Sequence, residues 1–208
     1  MLPPEWFRLF HMAHHRHTQD PEHDPELAGG RPRTRAEYVW RLTGVPYWVA
    51  EIRLLFALAG GRAEAAFIPS HRRRAVIAEA RCYLAVYAAL AAGSLALRTD
   101  CLLWLYVIPA LMGQPVLRAF LMAEHGGLPL VPDRLASTRT TLSGHAVRLL
   151  FWNANYHAEH HVAAGVPFHA LPRLHRLLTG DLQALAPGYA AAHRDIRRAV
   201  QANSSPVL

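Results

Sequence analysis

The chain has 208 residues, 52% of them apolar, and a formal net charge of +7. This length allows one globular domain or a small membrane protein, and apolar segments flanked by basic loops explain the composition better than an even globular pattern does. The two cysteines have neither metal-binding nor redox spacing, which argues against iron–sulfur, Cys-rich zinc and disulfide-stabilised classes. The arginine clusters border apolar segments without a nucleic-acid-binding motif, so no nucleic acid is predicted as a partner.

The first predicted element carries an H-x-x-H-H motif formed by His11, His14 and His15. On a helix these offsets place three imidazoles on one face, and neutral imidazole is a good ligand for iron, zinc, copper and nickel. Residues 18–35 are rich in Pro, Gly and charge, which predicts a loop or an irregular surface segment. Residues 36–60 are aromatic and apolar but interrupted by charges, which predicts one or two interfacial helices rather than a span.

Two apolar segments in the middle of the chain predict a transmembrane hairpin. The first helix is predicted over about 76–97 and the second over about 101–122, since roughly 20 residues cross the hydrocarbon core. Pro109 and Pro115 are expected to kink the second helix. A hairpin returns the chain to the side that it left, and the basic clusters predict that this side is cytoplasmic.

The H-x-x-H-H pattern returns after the hairpin as His157, His160 and His161. The alternatives to a metal site are a general histidine bias and a solvated polar helix face. A bias would scatter the fourteen histidines instead of repeating one three-position spacing, so the repetition favours metal ligands. Because one motif precedes the hairpin and the other follows it, both are predicted on the same face of the membrane.

One more histidine, His125, lies where the second predicted span ends. We favour it as a seventh ligand over a helix cap or a surface residue. Glu124 and Glu159 have two open interpretations: each either orients an imidazole through its outer ring nitrogen or lies on a solvated helix face. Together the elements predict an all-α integral membrane protein with one transmembrane helical hairpin, interfacial helices and a cytoplasmic histidine-rich helical cap.

Several stretches resemble the membrane fatty acid desaturase superfamily, which includes acyl-lipid desaturases, hydroxylases and carotenoid-modifying oxygenases: FHMAHHRHTQDPEHDPEL, RAFLMAEHGGLP, STRTT and NYHAEHHVAAGVPFHALPRLHRLL. The resemblance implies a single desaturase-like domain over residues 1–208 with a cytoplasmic di-iron centre. Such a centre uses dioxygen as co-substrate to desaturate, or to hydroxylate, an acyl chain of a lipid. Electrons would come from an external donor such as a ferredoxin or a cytochrome.

The resemblance also implies which histidines bind iron, because the first motif matches the family's second histidine box and the second motif matches its third. The predicted metal ligands are therefore His11, His14, His15, His125, His157, His160 and His161. The remaining histidines match no ligand position or sit in basic surface runs, and they are His17, His23, His71, His145, His169, His175 and His193.

The family's first box, H-x-x-x-H, has no counterpart before His11, so seven imidazoles leave a two-metal site short of ligands. We expect the chain to be truncated at its amino terminus, with the first box upstream. The alternative is a non-catalytic, shortened desaturase-like membrane protein that at most binds metal. A third class, a zinc hydrolase, is disfavoured because the H-E-x-x-H motif is absent.

Overall fold

Helices dominate the computed structural model, which describes residues 3–204. Two-residue strands β1 (Thr140–Thr141) and β2 (Leu185–Ala186) pair in parallel, a feature that the all-α prediction did not include. The helices are α1 (Pro4–Arg16), α2 (Arg35–Leu42), α3 (Val45–Ala59), α4 (Arg73–Ala96), α5 (Ile108–His125), α6 (Arg134–Ser137), α7 (His145–Leu150), α8 (His157–Val162), α9 (Leu171–Leu178) and α10 (Tyr189–Ser204). Shorter 3-10 turns lie at Pro25–Gly29, Ser70–Arg72 and Phe168–Ala170, and a π-helical turn lies at Leu103–Val107.

The chain divides into two compact units. One contains the residues up to Ala13 together with Trp40–Arg118, and the other contains His14–Val39 together with the residues from Ala119 onward. The single domain predicted over 1–208 stays a prediction.

Among residues 3–204, two helices are long and apolar enough to cross a membrane. These candidate spans are Ser70–Ala96 and Leu103–His125, with 27 and 23 residues, and they overlap the segments predicted at 76–97 and 101–122. Large apolar side chains such as Leu90 are exposed along them, as expected of a helix that faces lipid rather than water. The expectation of two apolar membrane-type helices is therefore confirmed.

The helices α2 and α3 meet at a bend of 62°. Only when the two are taken as one broken helix are they long and apolar enough to cross a membrane. Gly44 lies at the bend with a φ of 76°, and a Cβ there would lie 2.7 Å from the Cβ of Gln114. A larger residue would meet both backbone strain and a clash. The placement of this pair as interfacial helices stays a prediction.

A buried core in the first unit holds α3 and α4 together. It is built from Trp6, Leu55, Leu58, Ile68 and Val76, among others. The ring of Trp6 stacks on Phe10 of the same helix, with 5.1 Å between ring centroids. The core thus anchors the start of α1 within this unit.

The second unit packs α10 against the turn that follows α5. Gly127 has a φ of 72°, and a Cβ there would lie 3.0 Å from the Cα of Ile196, so only glycine fits. Next in the chain, the buried STRTT stretch is tied back to α5, because Arg139 donates its backbone N–H to Glu124 O at 2.7 Å and its guanidinium to Ala123 O. These contacts fix the end of α5, where His125 lies.

Candidate metal centre

Six of the seven predicted ligands lie in the second unit. They occupy the last turn of α1, the last residue of α5 and the length of α8: His14, His15, His125, His157, His160 and His161. Five of the six are buried, and His160 is partly exposed. The helical offsets in the two motifs thus turn the imidazoles inward.

Four of these imidazoles converge on one point: His14, His125, His157 and His161, each with a ligand atom within 4.8 Å of the others. The Nε2 atom of His157 lies 3.2 Å from Nε2 of His125 and 3.1 Å from Nε2 of His161. Imidazole nitrogens that bind one metal at about 2.0–2.1 Å are themselves about 3.0–3.4 Å apart. The spacing of the His125, His157 and His161 nitrogens therefore fits a single metal ion, and His14 offers a nitrogen within 4.8 Å of them.

The outer ring nitrogens of two of these histidines donate to protein acceptors. His125 Nδ1 donates to the carbonyl oxygen of Ser137 at 3.0 Å. Thr18 Oγ1 donates to the His14 carbonyl oxygen at 2.9 Å, so it accepts from His161 Nδ1 at 3.1 Å. Because Nδ1 carries the proton in both rings, their Nε2 lone pairs point into the group, which is the orientation of metal-binding imidazoles. Converging lone pairs repel one another, and a metal cation between them removes that repulsion.

The outer nitrogen of His14 is held by Asp24, whose side chain is fully buried. The two oxygens of Asp24 lie 2.9 and 3.1 Å from His14 Nδ1, and they also accept the backbone N–H groups of Gln19 and Glu26 at 2.8 and 2.9 Å. Burial acts to lower the pKa of His14, but the hydrogen bond to Asp24 and the charges of Glu26 and Asp24 outweigh it and raise the pKa. Asp24, together with Glu26 Oε2 at 3.0 Å from the same nitrogen, therefore fixes both the ring orientation and the proton of His14.

Residues 18–35 were predicted as a loop or an irregular surface segment, and they are irregular apart from the 3-10 turn Pro25–Gly29 and the start of α2, but Thr18, Gln19 and Asp24 are buried rather than on the surface. The sequence does not reveal their burial, because Pro, Gly and charged residues indicate a loop whether tertiary contacts bury that loop or leave it exposed. One signal was available. Asp24 precedes Pro25 and caps the 3-10 turn that Pro25 opens, an arrangement in which an aspartate accepts backbone N–H groups.

The two glutamates with open interpretations differ from each other in the structure. A carboxylate oxygen of Glu124 lies 3.4 Å from His157 Nδ1, the position of a partner that orients this ring. Glu159 is fully buried, which excludes the solvated face, but its partners are His175 Nδ1 and Thr140 Oγ1, each at 2.5 Å. His175 matched no ligand position in the sequence. In the structure it has a supporting part, because its contact with Glu159 holds α8 in place.

A second pair of imidazoles lies beside the four. His15 Nε2 is 3.0 Å from His160 Nε2, and the ring of His15 stacks on His161 with 4.2 Å between centroids. His11 lies one turn earlier on α1, in the first unit, where its ring stacks on Phe7 at 5.6 Å between centroids. The assignment of His11 as a metal ligand stays a prediction.

The electrostatics of α8 favour neutral imidazoles. Burial, followed by repulsion from neighbouring histidines, lowers the pKa of His157, His160 and His161. A neutral ring keeps the lone pair that a metal ion requires. The three histidines of the second motif are thus available as ligands near neutral pH.

Arg134 connects the carboxyl ends of the two motif-bearing helices. Its guanidinium donates to the carbonyl oxygen of His161 at 3.1 Å and to that of His15 at 3.0 Å. Carbonyls at a helix end carry partial negative charge, which a cation stabilises. Sequence reasoning missed this residue because no motif distinguishes it from the other arginines.

Replacing Arg134 by glutamine is expected to destabilise the second unit by about 1–2 kcal/mol, since two charge-assisted hydrogen bonds are lost or weakened. Thermal unfolding of the purified chain in detergent measures this effect, with Arg173→Gln on the exposed side of α9 as the matched control. Equal unfolding midpoints for the two variants would show that Arg134 does not hold the helices.

His71 and His193 were both predicted to lie in basic runs on the surface. His193 is partly buried, with Nδ1 2.8 Å from Tyr38 Oη and Nε2 donating to the carbonyl oxygen of Ala119 at 2.9 Å. The basic run is on the surface as predicted, since Arg194, Arg197 and Arg198 are exposed, but the His193 ring itself is held by these two contacts. His71 is exposed, as predicted.

The candidate spans and the buried imidazoles define a class: a helical membrane protein with a histidine-rich group able to hold metal. The model of the fatty acid desaturase family matches residues 1–193, and the chain belongs to that family. The resemblance noted in the sequence is thereby confirmed. Neither a curated protein nor a solved structure matches the chain significantly.

Proposed function

We propose that the chain is a membrane-bound di-iron oxidoreductase that uses dioxygen to desaturate, or to hydroxylate, an acyl chain of a lipid. The observation that carries the proposal is the convergence of four buried imidazoles, with outer ring nitrogens held by Asp24, Ser137 and Thr18, in a member of the fatty acid desaturase family. This donor set suits iron, because neutral imidazole binds divalent first-row metals well.

Two sets of histidines are assigned to the two iron ions. The buried group of four would hold one iron, through His14, His125, His157 and His161. The neighbouring pair, His15 and His160, would hold the second iron, and His11 stays a proposed ligand from its place in the motif. Burial of the first group keeps bulk water away from the metal.

Bound iron supplies the chemistry that side chains lack, the activation of dioxygen for attack on an unactivated C–H bond. Overall, desaturation removes two hydrogen atoms from adjacent methylenes, and dioxygen takes these with two electrons and two protons to form two waters. The electrons come from an external donor, such as a ferredoxin or a cytochrome. The protein's part is positional: Asp24 holds His14, Thr18 holds His161, and Arg134 holds the ends of both helices.

We place the protein as an integral membrane protein, with its candidate spans forming a hairpin and the histidine motifs on the cytoplasmic side. The basic clusters at 31–35 and 71–74 support this orientation through the positive-inside tendency. An acyl chain would then reach the centre from the bilayer, where dioxygen also dissolves well.

The alternative is a non-catalytic desaturase-like membrane protein that at most binds metal. Its support is the number of matched imidazoles, which at seven is short for two metal ions. The two proposals differ in iron stoichiometry and in lipid product.

The test is the iron and zinc content per chain of protein purified in mild detergent after expression with ample iron, paired with fatty acid analysis of the host lipids. We expect two irons per chain and a new unsaturated or hydroxylated acyl product. His160→Ala is expected to abolish the product, whereas His169→Ala, at an exposed position outside the centre, leaves it unchanged. Little iron and unaltered host lipids would favour the non-catalytic protein.

A further inference from the structure

A second set of metal-binding side chains lies outside the candidate centre, in the turn that follows α1. His17, Asp20 and His23 each offer a ligand atom within 4.8 Å of the other two. The rings of His17 and His23 are 5.3 Å apart between centroids, and His23 Nδ1 lies 2.8 Å from an Asp20 carboxylate oxygen. Two imidazoles and one carboxylate form a donor set that binds zinc-like divalent ions.

The turn that presents these three side chains is held in place by hydrogen bonds. Asp20 donates its backbone N–H to His17 O at 2.9 Å, and Asp24 donates its backbone N–H to Asp20 O at 2.9 Å. Gln19, at a φ of 60°, is buried and donates its backbone N–H to the buried carboxylate of Asp24 at 2.8 Å. Because the backbone is already ordered, binding an ion costs little conformational entropy beyond that of the side chains.

The local charge also favours a cation, although the chain as a whole is basic. Residues 17–30 contain four carboxylates, Asp20, Glu22, Asp24 and Glu26, between the two bordering arginines Arg16 and Arg31. The turn also follows the carboxyl end of α1, where the helix dipole is negative. Both effects raise the local concentration of divalent cations.

We propose that His17, Asp20 and His23 form a solvent-facing site for a zinc-class divalent transition metal, separate from the buried imidazole group. His23 is exposed and the other two residues are partly exposed, so water would complete the coordination shell. The ligand set differs from that of the buried group, which has four imidazoles and no carboxylate ligand. The site therefore adds a metal to those expected of the proposed function and does not depend on that function.

The test is equilibrium dialysis of the full chain in detergent against free Zn²⁺, with bound zinc and iron counted by elemental analysis. His17→Gln and His23→Gln are expected to bind one zinc fewer per chain than the unaltered protein, or to bind it at least about tenfold more weakly. His169→Gln, which removes an exposed histidine elsewhere, is the matched control and should bind as the unaltered protein does.

Equal zinc binding in all four proteins would overturn the site, and so would a loss in the His169 control as large as in the other two variants. The comparison rests on a difference between proteins that share the same buried histidines. A buried group that holds no iron would contradict the proposed function but would leave this comparison intact.

Discussion

Replacing His161 by alanine is expected to weaken strongly the retention of the iron proposed for the buried group and to abolish the proposed lipid product. The ring of His161 is fully buried, its Nε2 lies 3.1 Å from that of His157, and its centroid lies 4.9 Å from those of His14 and His125. Loss of an outer partner alone typically lowers metal affinity by about 10–100-fold, and loss of a ligand costs more. We therefore expect at least about a 100-fold weaker hold on that iron.

The measurement is iron per chain by elemental analysis, followed by acyl products in the same cells. His169→Ala controls for the removal of a histidine as such. Because the truncation at His161 also leaves a cavity, a circular dichroism spectrum is used to check that the variant keeps its helical structure. A His161→Ala protein that keeps its full iron content would remove His161 from the ligand set.

The helical period explains how far the sequence could predict the centre. In each motif, offsets of three and four residues put the histidines on one helix face. In the structure, six of the seven predicted histidines lie in the second unit. The two apolar segments were visible as runs of spanning length, because their apolar residues surround the helix. Both features are local, so composition and spacing were enough.

The hydrogen-bond partners of the histidines could not be predicted from composition and spacing. Ser137 acts through its backbone carbonyl and Thr18 through a hydroxyl, and neither role leaves a sequence signature. Arg134 and His175 resemble many other basic residues until the fold brings carbonyls and Glu159 to them. Burial of Asp24 likewise follows from tertiary contacts, whereas its neighbours Pro25 and Glu26 indicate a surface loop.

Asp24 carries the second large effect that we expect. Replacement by alanine removes one of the two carboxylate partners of His14 Nδ1, leaving Glu26 Oε2 at 3.0 Å, and it removes the acceptor of the backbone N–H groups of Gln19 and Glu26. Leaving buried donors without an acceptor is expensive, and breaking a buried ion pair costs about 3–5 kcal/mol, so Asp24→Ala should unfold at a markedly lower temperature. Thermal unfolding in detergent measures this loss, with Asp181→Ala at an exposed position as the control.

The milder Asp24→Asn variant separates the support of the fold from the orientation of the ligand. An asparagine keeps one oxygen, which can accept one of the two backbone N–H groups of the turn, but it loses the negative charge that favours the proton on His14 Nδ1. We expect a smaller loss of stability than in Asp24→Ala, together with about 10–100-fold weaker retention of the proposed iron against a chelator, the range typical of lost outer-sphere partners. If Asp24→Asn instead released iron at the normal rate while Asp24→Ala unfolded early, Asp24 would serve only to cap the turn. His14 would then owe its orientation to Glu26, whose Oε2 lies 3.0 Å from Nδ1, and to packing against His125 and His161, because the rings of both lie within 5.0 Å of its own between centroids.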